Sequence, residues 1–387
     1  MASISAHSML TSLGCDAATA CAAARAGLSR AGEIAGMKFT SDITGAPEPL
    51  IAHAVPLLTR GFEGGVRLQR LLFGGLSELK TQLPAGMLKA GHVGFYLSLP
   101  DPARTAHGLD LIPDDEARSV FQALASEFGT KPSDPRFAHV ALVSAAAQAG
   151  WPGEIDIRHV SFAGHAGGAH CIALAHKDLD SGHVATAIVG AADSLLDQET
   201  VAWLHSANRL KLSGMPVGLM PGEACAFLAL SNALQGSEGQ IAAVGLSLEP
   251  KTLWSGATSV GEGLAHALEQ VAEVAGWKQT RSAWLVCDQN GETYRANEWG
   301  HTIARMRGAW PALENPDVWV PAASFGDTGS ASTLVAVCTA LHAFNRAYAP
   351  AEAAVVISSS EADSRAALVV TRTRSPLDLQ EQGHGRP

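Results

Sequence analysis

The chain has 387 residues, a formal charge of −10 and no long basic run, so neither a nucleic-acid groove nor an anionic membrane surface fits as its main partner. Hydrophobic residues make up 47% against 17% charged, with 39 glycines, which suits a heavily buried α/β globule and excludes a disordered chain. At this length two core units, or one large two-fold assembly, are expected.

The start of the chain lacks the cationic segment of a secretory signal, and no apolar run reaches the roughly 18 residues of a membrane span. Residues 37–89 hold Gly- and Leu-rich helical stretches, such as 66–79, and are expected to form a cap or an oligomer contact. Strand-like runs of β-branched and aliphatic residues then recur at 93–99, 158–163, 184–190, 225–230, 241–248, 282–287, 318–322, 353–358 and 366–370. Helix-length segments separate them, as crossover connections do in a largely parallel or mixed sheet.

In the first half a strand ends at Ala163, turns at Gly164-His165 and enters a helix that runs to about Asp180. In the second a strand ends at Ala322, turns at Gly326-Asp327 and leads to a helix over 331–346. His165 and Asp327 are 162 positions apart, too far for a solenoid period, so the pattern reads as duplication of one α/β unit. The halves are expected at 1–235 (with the cap at about 37–89) and 236–371. The polar, proline-containing stretch 372–387 is expected to be a disordered tail.

Chemistry concentrates in three places. In "FAGHAGGAHCIALAH" His165 stands at a turn of small residues before a helix; it is either an acid/base group or a structural histidine, the second being the plainer reading. Gly167 and Gly168 are expected to let this helix pack closely on its counterpart behind Asp327. Cys171 lies six residues past the turn on another helical face and reads as a buried core thiol. His165, His170, His176 and His183 are spaced five, six and seven apart, which is not ligand spacing on one helix, and no metal site is expected. The six cysteines, with no CxxC pair, predict reduced thiols and a cytoplasmic setting.

Asp327, followed by Thr328-Gly329-Ser330, reads either as an N-cap or as an acceptor in a pocket shared with His165 and Asn290. The polar run "DQNGETYR", residues 288–295, brings Asn290, Glu292 and Arg295 forward for capping or pocket lining. Arg295 has Glu298 and Trp299 as helical neighbours.

These stretches together resemble the thiolase superfamily, and within it the β-ketoacyl-ACP synthases, over roughly residues 1–371. "MLTSLGCDAATACAAARAG" resembles the opening strand, turn and helix of that family, and "GHAGGAHCIALAHKDLDSGHVATAIVGAADS" resembles the block around its nucleophile. "GLMPGEACAFLAL" resembles the strand carrying its "GEGaG" motif. "CDQNGETYRANEWG" and "ASFGDTGSAST" stand where the family has its two histidine loops.

The resemblance implies a five-layered αβαβα fold and a dimer whose sheets pair near residues 158–163. It also shows what is missing: His165 stands for the cysteine nucleophile, Asn290 and Asp327 for the histidines, Ala322 for a lysine, and "SSSEADSRAAL" for a Gly-rich loop. Glu223 keeps the acidic position of the "GEGaG" motif. Loss of a nucleophile costs orders of magnitude in rate, so a pseudoenzyme acting through binding is the leading expectation, with no cofactor. Its partner is a second copy, an active ketosynthase, an acyl carrier protein or, by family association alone, a type VI secretion effector. The alternative is an acyltransferase or thioester hydrolase using His165, Asn290 and Asp327.

Overall fold

Strands whose two faces are both apolar dominate the chain, and they need a layer of helices on each side. The computed structural model describes residues 2–40, 45–89, 91–100, 104, 115, 119, 135–234 and 236–373; from residue 374 the expected tail lies outside the described residues. The N-terminal half contains β1 (Ala2–Leu10), α1 (Ala17–Arg25), β2 (Gly32–Thr40), β3 (Pro47–Ala52), α2 (Pro56–Thr59), α3 (Gly64–Gln82), β4 (Val93–Ser98), α4 (Pro135–Ala149), β5 (Asp156–Ser161), α5 (Gly167–Asp180), β6 (Thr186–Ser194), α6 (Gln198–Ser206) and β7 (Glu223–Ser231). The C-terminal half contains β8 (Gly239–Leu248), α7 (Glu262–Ala272), β9 (Trp284–Cys287), α8 (Thr293–Met306), β10 (Asp317–Trp319), α9 (Ala322–Phe325), α10 (Ser332–Asn345), β11 (Ala353–Ser359) and β12 (Ser364–Thr371).

Among the described residues ten strands form one mixed sheet in the order β10-β9-β11-β12-β8-β1-β7-β6-β4-β5. From the centre outward each half repeats one pattern. β1, β7 and β6 pair antiparallel, as do β8, β12 and β11; β4 and β5, like β9 and β10, then add in parallel. The halves join where Ala2 pairs with Ile241 and Ile4 with Gly239. The duplicated α/β plan is thus written in strand order and direction.

Period-two alternation assigns each strand residue to a layer. Ala224, Ala226, Leu228 and Leu230 of β7, with Leu368 and Val370 of β12, face a central core around α1, α5 and α10. Cys225, Phe227 and Ala229 face the outer helices α3 and α4, and Leu285, Val355 and Val369 face α7. Three helical layers and two sheet halves give the αβαβα arrangement.

Two expectations change. Helix α3 forms as the periodicity suggests, but Leu68, Leu71, Leu72, Leu76 and Leu79 are fully buried against the first sheet half, so it is a structural layer rather than a cap. The hairpin β2–β3 is what stands outside the main sheet. The run at 318–322 is strand only over Asp317–Trp319, because Pro321 opens the helical turn α9.

Candidate functional site

His165 lies in a single turn of 3-10 helix, 164–166, immediately before α5. Gly164 makes the turn with φ +56°, a left-handed conformation that a side chain resists, and Gly329 makes the equivalent turn before α10 with φ +52°. The two-fold counterpart of His165 is therefore Ser330, not Asp327 as the sequence spacing suggested. Asp327 sits two residues before that turn, where its Oδ1 accepts from Gly329 N at 2.8 Å.

The same oxygen meets His165 Nε2 at 2.8 Å, and both side chains are buried. Asp327 Oδ2 accepts from Asn290 Nδ2 at 2.6 Å. His165, Asp327 and Asn290 thus converge; Thr328, not Asp327, stands at the N-cap of the 329–331 turn, while the Asp327 carboxylate takes the Gly329 N–H from one residue further back. Burial alone would raise the Asp327 carboxyl; the charges of His165 and Arg295, with hydrogen bonds from His165 and Asn290, hold it well below the usual carboxylate range.

Arg295 covers the other side of the imidazole. Its Nη2 is 3.1 Å from Nδ1 and 3.2 Å from Nε2. A point equally near both ring nitrogens cannot lie in the ring plane without striking Cε1, so the guanidinium lies over the ring face rather than on one lone pair. Arg295 Nη1 donates to Asp288 Oδ2 at 2.9 Å, which fixes it there. Glu298 is not the helical partner of Arg295: it takes Arg365, with Nη2 to Oε2 at 2.9 Å.

Around this core lies a ring that the sequence did not announce. Arg209 is bidentate to Glu292, at 2.6 and 2.9 Å, and reaches Glu361 at 2.7 Å. Asn290 Nδ2 also donates to Glu292 at 2.8 Å. Ser360 Oγ accepts from Ala166 N at 3.0 Å, closing the free N–H beside His165, and donates to Ala163 O. Asp193 receives Arg104 at 2.9 Å and Ser330 N at 2.8 Å, anchoring the start of α10. Arg209 Nη1, Arg295 Nε and Tyr294 Oη are buried donors without a hydrogen-bond partner among the described residues, although Arg295 Nε lies 3.9 Å from Glu292 Oε2.

Other expected residues do not join the site. Glu223 turns to the outer face, where its carboxylate takes Arg67 Nε at 2.6 Å, Thr59 Oγ1 at 2.6 Å, Val55 N at 2.6 Å and Ser194 Oγ at 3.0 Å; it is a strut between β7 and α2–α3, not a pocket wall. Gly168 does allow close helix contact, since a Cβ there would stand 3.0 Å from Thr333 Cβ. Gly167 instead faces the sheet, where a Cβ would come within 2.3 Å of Ser98 Oγ. Cys171 is fully buried and its thiol is pushed up by burial. His176 and His183 pair with Asp180 and Asp178 along the exposed side of α5.

Chemically, the arrangement holds an imidazole on a carboxylate, which is the orientation a general base requires. It places no thiol at the helix start. A cavity of about 10 Å³ beside Asp327, bounded by Asp288, Ala322 and Thr328, has room for about one water.

No family model matches the sequence, and no curated protein matches it. Solved structures do. The chain is similar to the ishigamide ketosynthase/chain length factor at TM-score 0.65 and 16% identity, covering 96% of this chain and 99% of that one. It is similar to the structure of the ketosynthase ApeO in complex with its chain length factor ApeC from Xenorhabdus doucetiae at TM-score 0.68 and 16% identity, over 96% and 98%. A third match, AntDE:AntF, a type II polyketide synthase acyl-carrier protein in complex with its ketosynthase, gives TM-score 0.71 at 10% identity, over 96% and 99%. Fold and comparison together define the class of architecture: the chain has the thiolase-type fold. More narrowly, it carries the ketosynthase fold over nearly its whole length, with His165 at the start of the central helix.

Proposed function

We propose that this protein is a non-condensing ketosynthase-fold subunit that acts by pairing with a catalytic ketosynthase, as a chain length factor does. The observation that carries this reading is the closed helix start. His165 is bonded to Asp327 and overlain by Arg295, and Ser360 occupies the N–H of Ala166, so position 165 offers no thiol and the Ala166 N–H beside it is already taken. A subunit that serves as a scaffold tolerates such filling.

Two features support the pairing. The solved structures named above include a ketosynthase with its chain length factor and a ketosynthase with its acyl-carrier protein. The edge strand β5 ends the sheet among the described residues and offers one row of backbone groups to a partner strand. A homodimer through the same edge is the form expected without that partner.

The second reading, an acyltransferase or thioester hydrolase, is favoured by the 2.8 Å contact of His165 with Asp327. Incubation with acyl-CoA and acyl-carrier thioesters separates the two. Turnover, or an adduct in the intact mass that disappears in His165→Ala, would establish the enzymatic reading. Inertness, together with a stoichiometric complex with a ketosynthase by light scattering, establishes the scaffold. A stoichiometric complex with a secreted effector instead would favour the type VI secretion adaptor.

A further inference from the structure

α10 is 14 residues long and rises about 20 Å, so its last turn is far from the His165 end. There α1 and α10 leave a groove of about 530 Å³ between them. Ala18, Ala22 and Ala26 form one wall, His342 and Arg346 the other, and Arg25 and Tyr348 complete it. The small side chains of Ala18, Ala22 and Ala26 keep it open.

The charge in this groove runs against that of the chain. The protein carries 37 acidic against 27 basic residues, yet among the described residues no carboxylate lines the groove and two guanidiniums and an imidazole do. Neither Arg25 nor Arg346 has an ion-pair partner among the described residues. Arg25 is held another way: its guanidinium carbon lies 4.1 Å from the centre of the Tyr348 ring, a face contact that does not itself consume its N–H groups. Tyr348 is itself fixed, by His342 Nδ1 at 2.8 Å from its Oη and by Trp319 stacked at 5.9 Å. Burial and then the nearby cations Arg346, His7 and Arg25 lower the proton affinity of His342, as a net positive site would. A cation at each helix C-terminus answers the helix dipole. That role does not require the two to line one void without carboxylates.

We propose that this groove binds a small organic phosphate, with the phosphate between Arg25 and Arg346 and an apolar body along Ala18, Ala22 and Ala26. Arginine pairs match phosphate oxygens in fork geometry, and the volume lies within the range of small-molecule sites. This proposal is independent of the function assigned to the His165 site.

The test is calorimetric titration of the full chain with phenyl phosphate, inorganic phosphate and benzoate. Saturable binding of one phenyl phosphate per chain is expected, at least about tenfold weaker in Arg25→Ala/Arg346→Ala and tighter than inorganic phosphate. Ala22→Phe, on an exposed position, fills the wall and should weaken phenyl phosphate while sparing inorganic phosphate. No saturable binding, binding unchanged in the double variant, or benzoate bound as tightly as phenyl phosphate would each overturn the proposal. Melting temperatures of the variants establish that losses of binding are not losses of fold.

Discussion

His165 Nε2 and Asp327 Oδ1 meet at 2.8 Å across 162 residues of chain, and this one bond ties the start of the first central helix to the loop before the second. Because Asp327 also balances Arg295, removing its carboxylate leaves buried positive groups uncompensated. Asp327→Ala should cost about 3–5 kcal/mol, read from urea unfolding. The sign with pH follows from the depressed carboxyl: ionised Asp327 stabilises the fold above the ordinary carboxylate range, and the contribution is lost as pH falls through its lower folded value. The acid limb of the stability curve, below about pH 4, should therefore be shallower in the variant.

Glu78 of α3 provides the opposite case. Its carboxylate accepts from Ala17 N and Met9 N, both at 2.9 Å, capping α1 from outside the helix. Burial outweighs these bonds and the charge of His7 and raises its pKa from 4.5 to about 7. In that window the folded state binds more protons than the unfolded one, so Glu78 makes stability fall as pH rises from 4.5 to about 7. Glu78→Gln should remove this slope. Parallel stability curves for the two proteins between about pH 5 and about pH 8 would contradict it.

Much of the architecture was legible because these strands carry uninterrupted apolar runs, as in β6, β7, β11 and β12, and such runs survive without long-range information. Helix α3 was legible as a helix, but its Leu68, Leu71, Leu72, Leu76 and Leu79 stripe was the available sign that it belongs to the core. The trio of His165, Asn290 and Asp327 came from a resemblance of motifs. Its surroundings did not: Arg209, Ser360 and Glu361 lie on connecting segments that no periodicity links to His165. The symmetry was misplaced by three residues because sequence spacing aligned two polar side chains, whereas the backbone repeats through Gly164 and Gly329.

Gly222 should matter for the site although it carries no side chain. Its N–H donates to Asp327 O at 2.9 Å, and a Cβ on it would stand 2.5 Å from Phe325 O, a backbone atom that cannot swing aside. Gly222→Ala should push the 325–327 backbone away and cost about 1–3 kcal/mol. Part of that cost is the disturbed His165–Asp327 bond, so the effect should be smaller in an Asp327→Ala background. Strict additivity of the two changes would refute the coupling.

Placing a cysteine at position 165 should not create a nucleophile. In His165→Cys the thiol would face the Asp327 carboxylate, and a negative neighbour raises a thiol's pKa where a ketosynthase needs it lowered. The adjacent N–H of Ala166 would still be bonded to Ser360 Oγ, so the stabilisation that a helix start gives a thiolate is already spent. Intact-mass measurement after incubation with an acyl-CoA should find no adduct on His165→Cys. It should find one on His165→Cys/Asp327→Asn, in which the charge is gone but the hydrogen-bonding shape is kept. If the single variant acylates as readily as the double, Asp327 plays no part in closing the site.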